Sequence, residues 1–299
     1  MARTDNLTNF LTDVADAIKE KKGDDTPILA SDFDTEIENL PSGGEENAII
    51  DLNKTYSGST IVKTLTKIPS ITFSTSSSFF NISSFFSGCS NLTTINVTFG
   101  NNIQQASSLF SGCNNLTTIT GTLNTSNVEG FNNMFANCSN LTTIPNIDTS
   151  KGTNFSNMFQ SCSNLTTIPS SIDTSKGTNL SGMFYNCSNL TTIPSSIDTS
   201  SATNVSSMFY DCTNLTTIPV FDLGKVVTGA NMRNMFNYCP NLTDTSLDNI
   251  LQSCISATSY TGTKTLYNLG LRNNYYSAST IQALPHYQGF IDAGWTIGY

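Results

Sequence analysis

Eight cysteines are the first residues of this chain whose chemistry has to be decided. Seven of them, Cys89, Cys113, Cys138, Cys162, Cys187, Cys212 and Cys239, follow one another at intervals of 24, 25, 24, 25, 25 and 27 residues. Thiols in such numbers can form disulfides, ligate zinc or act as nucleophiles. No C-x₂-C pair exists, and the single histidine, His286, leaves no His-pair zinc motif and only one base for a His-dependent nucleophile. One shared register instead makes the seven thiols buried, free and effectively apolar. The acids Asp148, Asp173 and Asp198 stand singly at turn positions, so the paired carboxylates of glycoside hydrolysis are missing. There is no G-x-x-x-x-G-K-[ST] phosphate loop. These readings predict no catalytic residue, no cofactor and no metal, and a protein that is not an enzyme.

Two further patterns invite chemistry. Asn-Leu-Thr, an N-glycosylation acceptor, occurs in every copy of the repeat; its asparagine reads as the residue that starts a turn. Thr94, Thr118, Thr143, Thr167, Thr192 and Thr217 each precede an inward isoleucine. They are expected to face solvent in a column, a surface that can order water or hydrogen-bond sugars. His286 and Trp295 read as structural members of a C-terminal cap.

The elements that position these residues come from one repeat. FFSGCSNLTTI, LFSGCNNLTTI, MFANCSNLTTI, MFQSCSNLTTI, MFYNCSNLTTI and MFYDCTNLTTI succeed one another, and MFNYCPNLTD closes the series. Val205, Met208, Phe209 and Cys212 lie at offsets 0, 3, 4 and 7, as do Phe155, Met158, Phe159, Cys162 and Leu180, Met183, Phe184, Cys187, which predicts one short helix per copy. The β-branched stretch after each cysteine predicts one short strand, ended by Pro145, Pro169, Pro194 or Pro219 in four copies. A unit of about 25 residues with so few apolar side chains cannot bury enough surface alone, so the copies must stack into a solenoid. The expected core is Phe86, Cys89, Phe110, Cys113, Phe135, Cys138, Phe159, Cys162, Phe184, Cys187, Phe209, Cys212, Phe236 and Cys239.

This M-F-x-x-C-x-x-L-T-x-I pattern resembles the bacterial surface-antigen type of leucine-rich repeat, known as BspA-like, over about residues 80–245. The resemblance implies an α/β repeat fold, a leucine-rich-repeat solenoid of seven coils used for adhesion and protein contacts. The first two copies depart from it at the Met position (Phe85, Leu109), and the last ends in Thr245 instead of Ile.

Outside the repeats the chain changes character. Of 22 acidic and 13 basic side chains, residues 1–50 hold 12 and 4, so nearly all of the net charge of −9 sits there. No basic footprint for nucleic acid or anionic lipid remains, and no apolar run is long enough to span a membrane. The sequence also starts without a secretory signal pattern. Leu7, Phe10, Leu11, Val14 and Ile18 trace one amphipathic stripe, and Phe33, Ile37 and Leu40 a second one after a Ser31 cap. Residues 1–44 are therefore expected to be a helical hairpin anchor and linker, 45–80 a β-rich lead-in, 81–245 the solenoid, and 246–299 a small cap. In that cap Leu247, Ile250, Leu251, Cys254 and Ile255 form a helix starting at Thr245 or Ser246.

DVADAIKEKKG followed by ILASDFDTEIENLPSGG is similar to a helical module found near the start of many bacteriophage tail and virion proteins. The ending AGWTIGY resembles the close of repeat proteins in phages of Gram-positive hosts. These resemblances imply a structural and host-attachment protein of a virion, tail more than head, made in the host cytoplasm. Residues 1–44 would dock on other virion proteins in multiple copies set by particle symmetry. The solenoid would meet a host-surface protein or glycan. A bacterial cell-surface adhesin and a capsid decoration or head-fibre protein are the alternatives.

Overall fold

The computed structural model describes residues 48–51, 67–74, 80–100, 103–266 and 275–297. The chain winds through successive repeats that stack in parallel. One ladder contains β1 (Ala48–Asp51), β2 (Lys67–Ser74), β4 (Thr94–Phe99) and β6 (Thr118–Thr120), in the order β1-β2-β4-β6 with every pair parallel. A second joins β3 (Phe80–Asn81) to β5 (Ile103–Gln105) and continues as single bridges Gln105–Gly130–Asn154–Asn179–Asn204. Neighbours across both ladders are one repeat apart.

The helix expected in each copy is not there. Among the described residues the stretch from Ile82 to Cys239 contains no α-helix. The i, i+3, i+4, i+7 stripe is real, but a run of tight turns makes it. In the third copy the Ala136 and Cys138 N–H groups turn back to the Asn133 and Phe135 carbonyls. The alternate N–H groups of Asn133, Phe135 and Asn137 donate to Ser156, Met158 and Gln160 of the next coil at 2.9, 2.9 and 2.6 Å. Every second residue thus closes a turn and every other one bonds across the stack. Two left-handed residues per coil permit this alternation: Ser84 and Gly88, Ser108 and Gly112, Asn133 and Asn137, Asn157 and Ser161, Gly182 and Asn186, Ser207 and Asp211, Asn234 and Tyr238. A right-handed helix would keep all its hydrogen bonds to itself and leave adjacent coils unjoined.

The expected strands survive only in part. β4 and β6 form in the first two copies, where Asn96 and Thr120 follow the isoleucine. In the next four the following residue is Pro145, Pro169, Pro194 or Pro219, which has no N–H to donate, and only an isolated Thr192–Thr217 bridge remains.

The stack ends on α1 (Asp244–Ser256), which takes the place of a further coil. Its cap is Thr243, two or three residues earlier than the Thr245 or Ser246 that the sequence suggests; the Thr243 hydroxyl accepts the Ser246 N–H at 3.3 Å. Ser246 and Ser253 instead serve the last coil: their hydroxyls accept the Ile218 and Phe221 N–H groups at 3.2 and 2.8 Å. Ser256 does the same for Leu223 at 2.9 Å, and the Asn249 amide donates to the Ile218 carbonyl at 2.8 Å. The open backbone edge is thereby covered. α2 (Ala278–Gln282) and α3 (Tyr287–Asp292) complete the cap, in which Trp295 stacks between Tyr260 and Phe290. Tyr276 pins the cap to the last repeat, its hydroxyl donating to the Cys239 carbonyl and accepting the Leu242 N–H.

Candidate functional site

The residues that could do chemistry are mostly taken up by the stack itself. Phe86, Phe110, Phe135, Phe159, Phe184, Phe209 and Phe236 form one column of stacked rings with centroids 5.3–5.7 Å apart. Cys89, Cys113, Cys138, Cys162, Cys187, Cys212 and Cys239 run beside them, all free and buried. From Cys113 onward each thiol donates to the carbonyl of the phenylalanine in the coil before, at 3.0–3.1 Å. The sequence reading treated these thiols as purely apolar; the structure gives them a cross-coil hydrogen bond. Burial pushes the Cys138 and Cys239 thiols up to about 12, and it also raises those of Cys162, Cys187, Cys212 and Cys254. A hydrogen bond with Cys89, joined by burial, raises Cys113. Thiols held protonated this way are not nucleophiles.

The acids are likewise occupied. Asp148, Asp173 and Asp198 each accept the N–H two residues on, from Ser150, Ser175 and Ser200, at 2.9, 2.8 and 2.7 Å. Hydrogen bonds from the side chain and backbone of Ser150 hold the Asp148 carboxyl below the usual carboxylate range. Beneath these turns lies a column the sequence reading missed. The buried hydroxyls of Thr125, Thr149, Thr174 and Thr199 donate to the carbonyls of Asp148, Asp173, Asp198 and Asp222 at 2.7–2.8 Å. Its trace was the threonine of the three Asp-Thr-Ser triplets and of Asn124-Thr125-Ser126. His286 pairs with Asp248 at 2.7 Å, where α1 meets α3, and so ties the cap together. No group of three or more His, Cys, Asp or Glu that could hold a metal occurs among the described residues.

What remains is the outer surface. Thr118, Thr143, Thr167, Thr192 and Thr217 are exposed, and Thr94 is half-buried. A neighbouring column that includes Thr117, Thr191 and Thr216 donates hydroxyls to carbonyls one coil back. The asparagines of the Asn-Leu-Thr motif form an amide ladder, with Asn140 donating to Asn115 and Asn164 to Asn140 at 3.3 and 3.2 Å. On another face Tyr185 and Tyr210 stack with centroids 4.6 Å apart, and Tyr238 meets Tyr210 edge-on at 5.2 Å. Beside Tyr185 an open groove of about 300 Å³ crosses three coils, lined by Asn157 and Gln160 of one, Ser181 and Gly182 of the next, and Ser206 and Ser207 of the third. The sequence reading named none of these groove residues. Leu7, Phe10, Leu11, Val14, Ile18, Phe33, Ile37 and Leu40, the expected anchor face, lie outside the described residues.

No curated protein matches the chain. A family model described as "Mycoplasma protein of unknown function, DUF285" matches it twice, over residues 73–166 and 142–250. The two matches overlap and together cover more than half of the chain, along the stretch in which phenylalanine and cysteine are buried every 25 residues or so. The chain is a tandem-repeat protein and belongs to the DUF285 family.

Proposed function

We propose that this protein is a non-enzymatic structural and adhesion component of a bacteriophage particle, tail-associated, whose repeats form a BspA-like leucine-rich-repeat solenoid. Residues 1–44 dock on other virion proteins, and the solenoid projects to meet the host surface. The observation that carries this reading is the contrast between inside and outside. Among the described residues of the repeats, the thiols are buried and the turn acids are tied down, while neutral Thr, Asn and Tyr columns run along the exterior. Such a surface suits repeated contact, with no charge pattern to demand a polyanionic partner. The phage assignment itself rests on the resemblance of residues 1–44 and of AGWTIGY.

A second reading, a bacterial cell-surface adhesin, draws support from the description of the family as a Mycoplasma protein. One experiment separates the two. Particles purified from an induced culture of the encoding strain should contain the chain at a fixed copy number by quantitative mass spectrometry. Recovery in the cell-envelope fraction alone would overturn the particle reading in favour of the adhesin.

A further inference from the structure

The groove lies where the repeat departs from itself. At the first left-handed position of the turn the other coils carry Ser84, Ser108, Asn133, Asn157, Ser207 and Asn234, and this coil carries Gly182. Backbone conformation does not require the glycine, since serine and asparagine hold the same φ in the other six coils. What glycine supplies is a close approach: a Cβ at residue 182 would stand 2.2 Å from the Asn157 Oδ1, so its absence lets the Asn157 amide, which lines the groove, lie against the residue 182 backbone. A second departure coincides with it. Ser87, Ser111, Ala136 and Gln160 follow the core phenylalanine in the first four coils, whereas Tyr185 follows it here and Tyr210 in the next coil. The Tyr185 ring is braced by Tyr210, whose plane lies within 2° of its own. Tyr210 comes from the next coil and is not among the residues that line the groove.

We propose that this groove is a binding site for a neutral saccharide. One sugar ring lies against Tyr185, and its hydroxyls are met by the Asn157 and Gln160 amides and the Ser181 and Ser207 hydroxyls. Tyrosine with serine, asparagine and glycine is the composition of surfaces built to bind, a rigid amphipathic anchor among adaptable hydrogen-bonding groups. A volume of about 300 Å³ stands at the small end of ligand pockets. None of the lining side chains is charged, so a phosphate or uronate would find no counterion. A peptide is no better served. The lining offers no aliphatic pocket, and the Asn157, Phe159, Gly182 and Phe184 N–H groups already bond to the next coil, which leaves no free edge for strand addition.

This inference deepens the contact role proposed above, and its test is independent of particle and host. The full chain is applied to an array of neutral hexose and N-acetylhexosamine oligosaccharides, with uronate-containing and phosphorylated glycans and a short-peptide library as further arms. The wild type should bind neutral glycans. Gly182→Asn, which installs the residue used by other coils, and Tyr185→Ala should each weaken that binding about tenfold or more. The exposed cap variant Gln252→Ala should stay within about twofold. Should Tyr185→Ala fail to fold, Gly182→Asn carries the test alone. The proposal is overturned if no neutral glycan binds, if binding is indifferent to Gly182→Asn, or if only acidic glycans or peptides bind. A negative array leaves the particle assignment standing, and absence from particles leaves the groove standing.

Discussion

At the scale of single residues, the cysteine column shows how a side chain can be chosen for two small properties at once. A thiol fits between stacked phenylalanines as an apolar group of modest volume. It also offers one weak donor to a carbonyl that would otherwise accept only its own turn, as Cys162 does for Phe135 at 3.1 Å. The raised thiols make the stack sensitive to alkali. An unfolded cysteine titrates near about 8.5, whereas the folded Cys138 and Cys239 hold their protons to about 12. Folded and unfolded chains bind the same thiol protons below about pH 8.5, so stability is full there. Above it the unfolded chain loses protons that the folded chain keeps, and each shifted thiol removes about 1.4 kcal/mol per pH unit. Urea unfolding midpoints should therefore fall steeply between about pH 8 and about pH 10. Cys162→Ala should flatten that dependence by one thiol's share. A midpoint constant across this range would mean that the column is not buried in solution.

At the scale of elements, the capping helix α1 has a job beyond covering apolar surface. Ser253 accepts the buried Phe221 N–H at 2.8 Å, and Ser253→Ala leaves that donor without its partner at the end of the stack. The expected cost is about 1–3 kcal/mol by chemical denaturation, with the exposed Gln252→Ala nearly neutral. Equal stability of the two variants would mean that the serine edge does not close the stack. The same helix marks what could be read in advance. Its apolar stripe, Leu247, Ile250, Leu251 and Cys254, was plain in the periodicity and is buried. Ser253 and Ser256 looked merely polar and Ser246 a helix cap, because nothing in a linear pattern says that a hydroxyl will face another coil's backbone. The repeat posed the sharper problem. Offsets of 0, 3, 4 and 7 identify an inward stripe, but a helix and a run of turns with left-handed residues at every fourth position share them. Asn133, Asn137, Asn157 and Asn186, tolerant of that conformation, were the available clue. The groove was hidden for a related reason: a seven-fold pattern draws attention to what recurs, and Gly182 matters because it does not.

At the scale of the whole molecule, the described residues divide into a repeat body and a cap. The final coil is closed by α1, and the cap is joined to the stack through Tyr276 and through the serine edge. The described core runs from Ile82 to Trp295. A chain beginning at Ala48 should fold into the same stack, with a cooperative thermal transition within a few degrees of the full-length protein, since stacked coils are stabilised by their nearest neighbours. Its behaviour in assembly should differ. The segment removed carries most of the net negative charge and two apolar stripes, and the stripes call for burial on a partner. In complementation, particles should lack the shortened protein by mass spectrometry. Phe10→Asp combined with Val14→Asp should have the same effect while leaving the melting transition unchanged. A shortened chain that still assembles at wild-type copy number would move the attachment point to the tyrosine-bearing C-terminal end and reverse the polarity of the molecule on the particle. A shortened chain that fails to fold would show instead that the first coils take part of their core from residues 1–47.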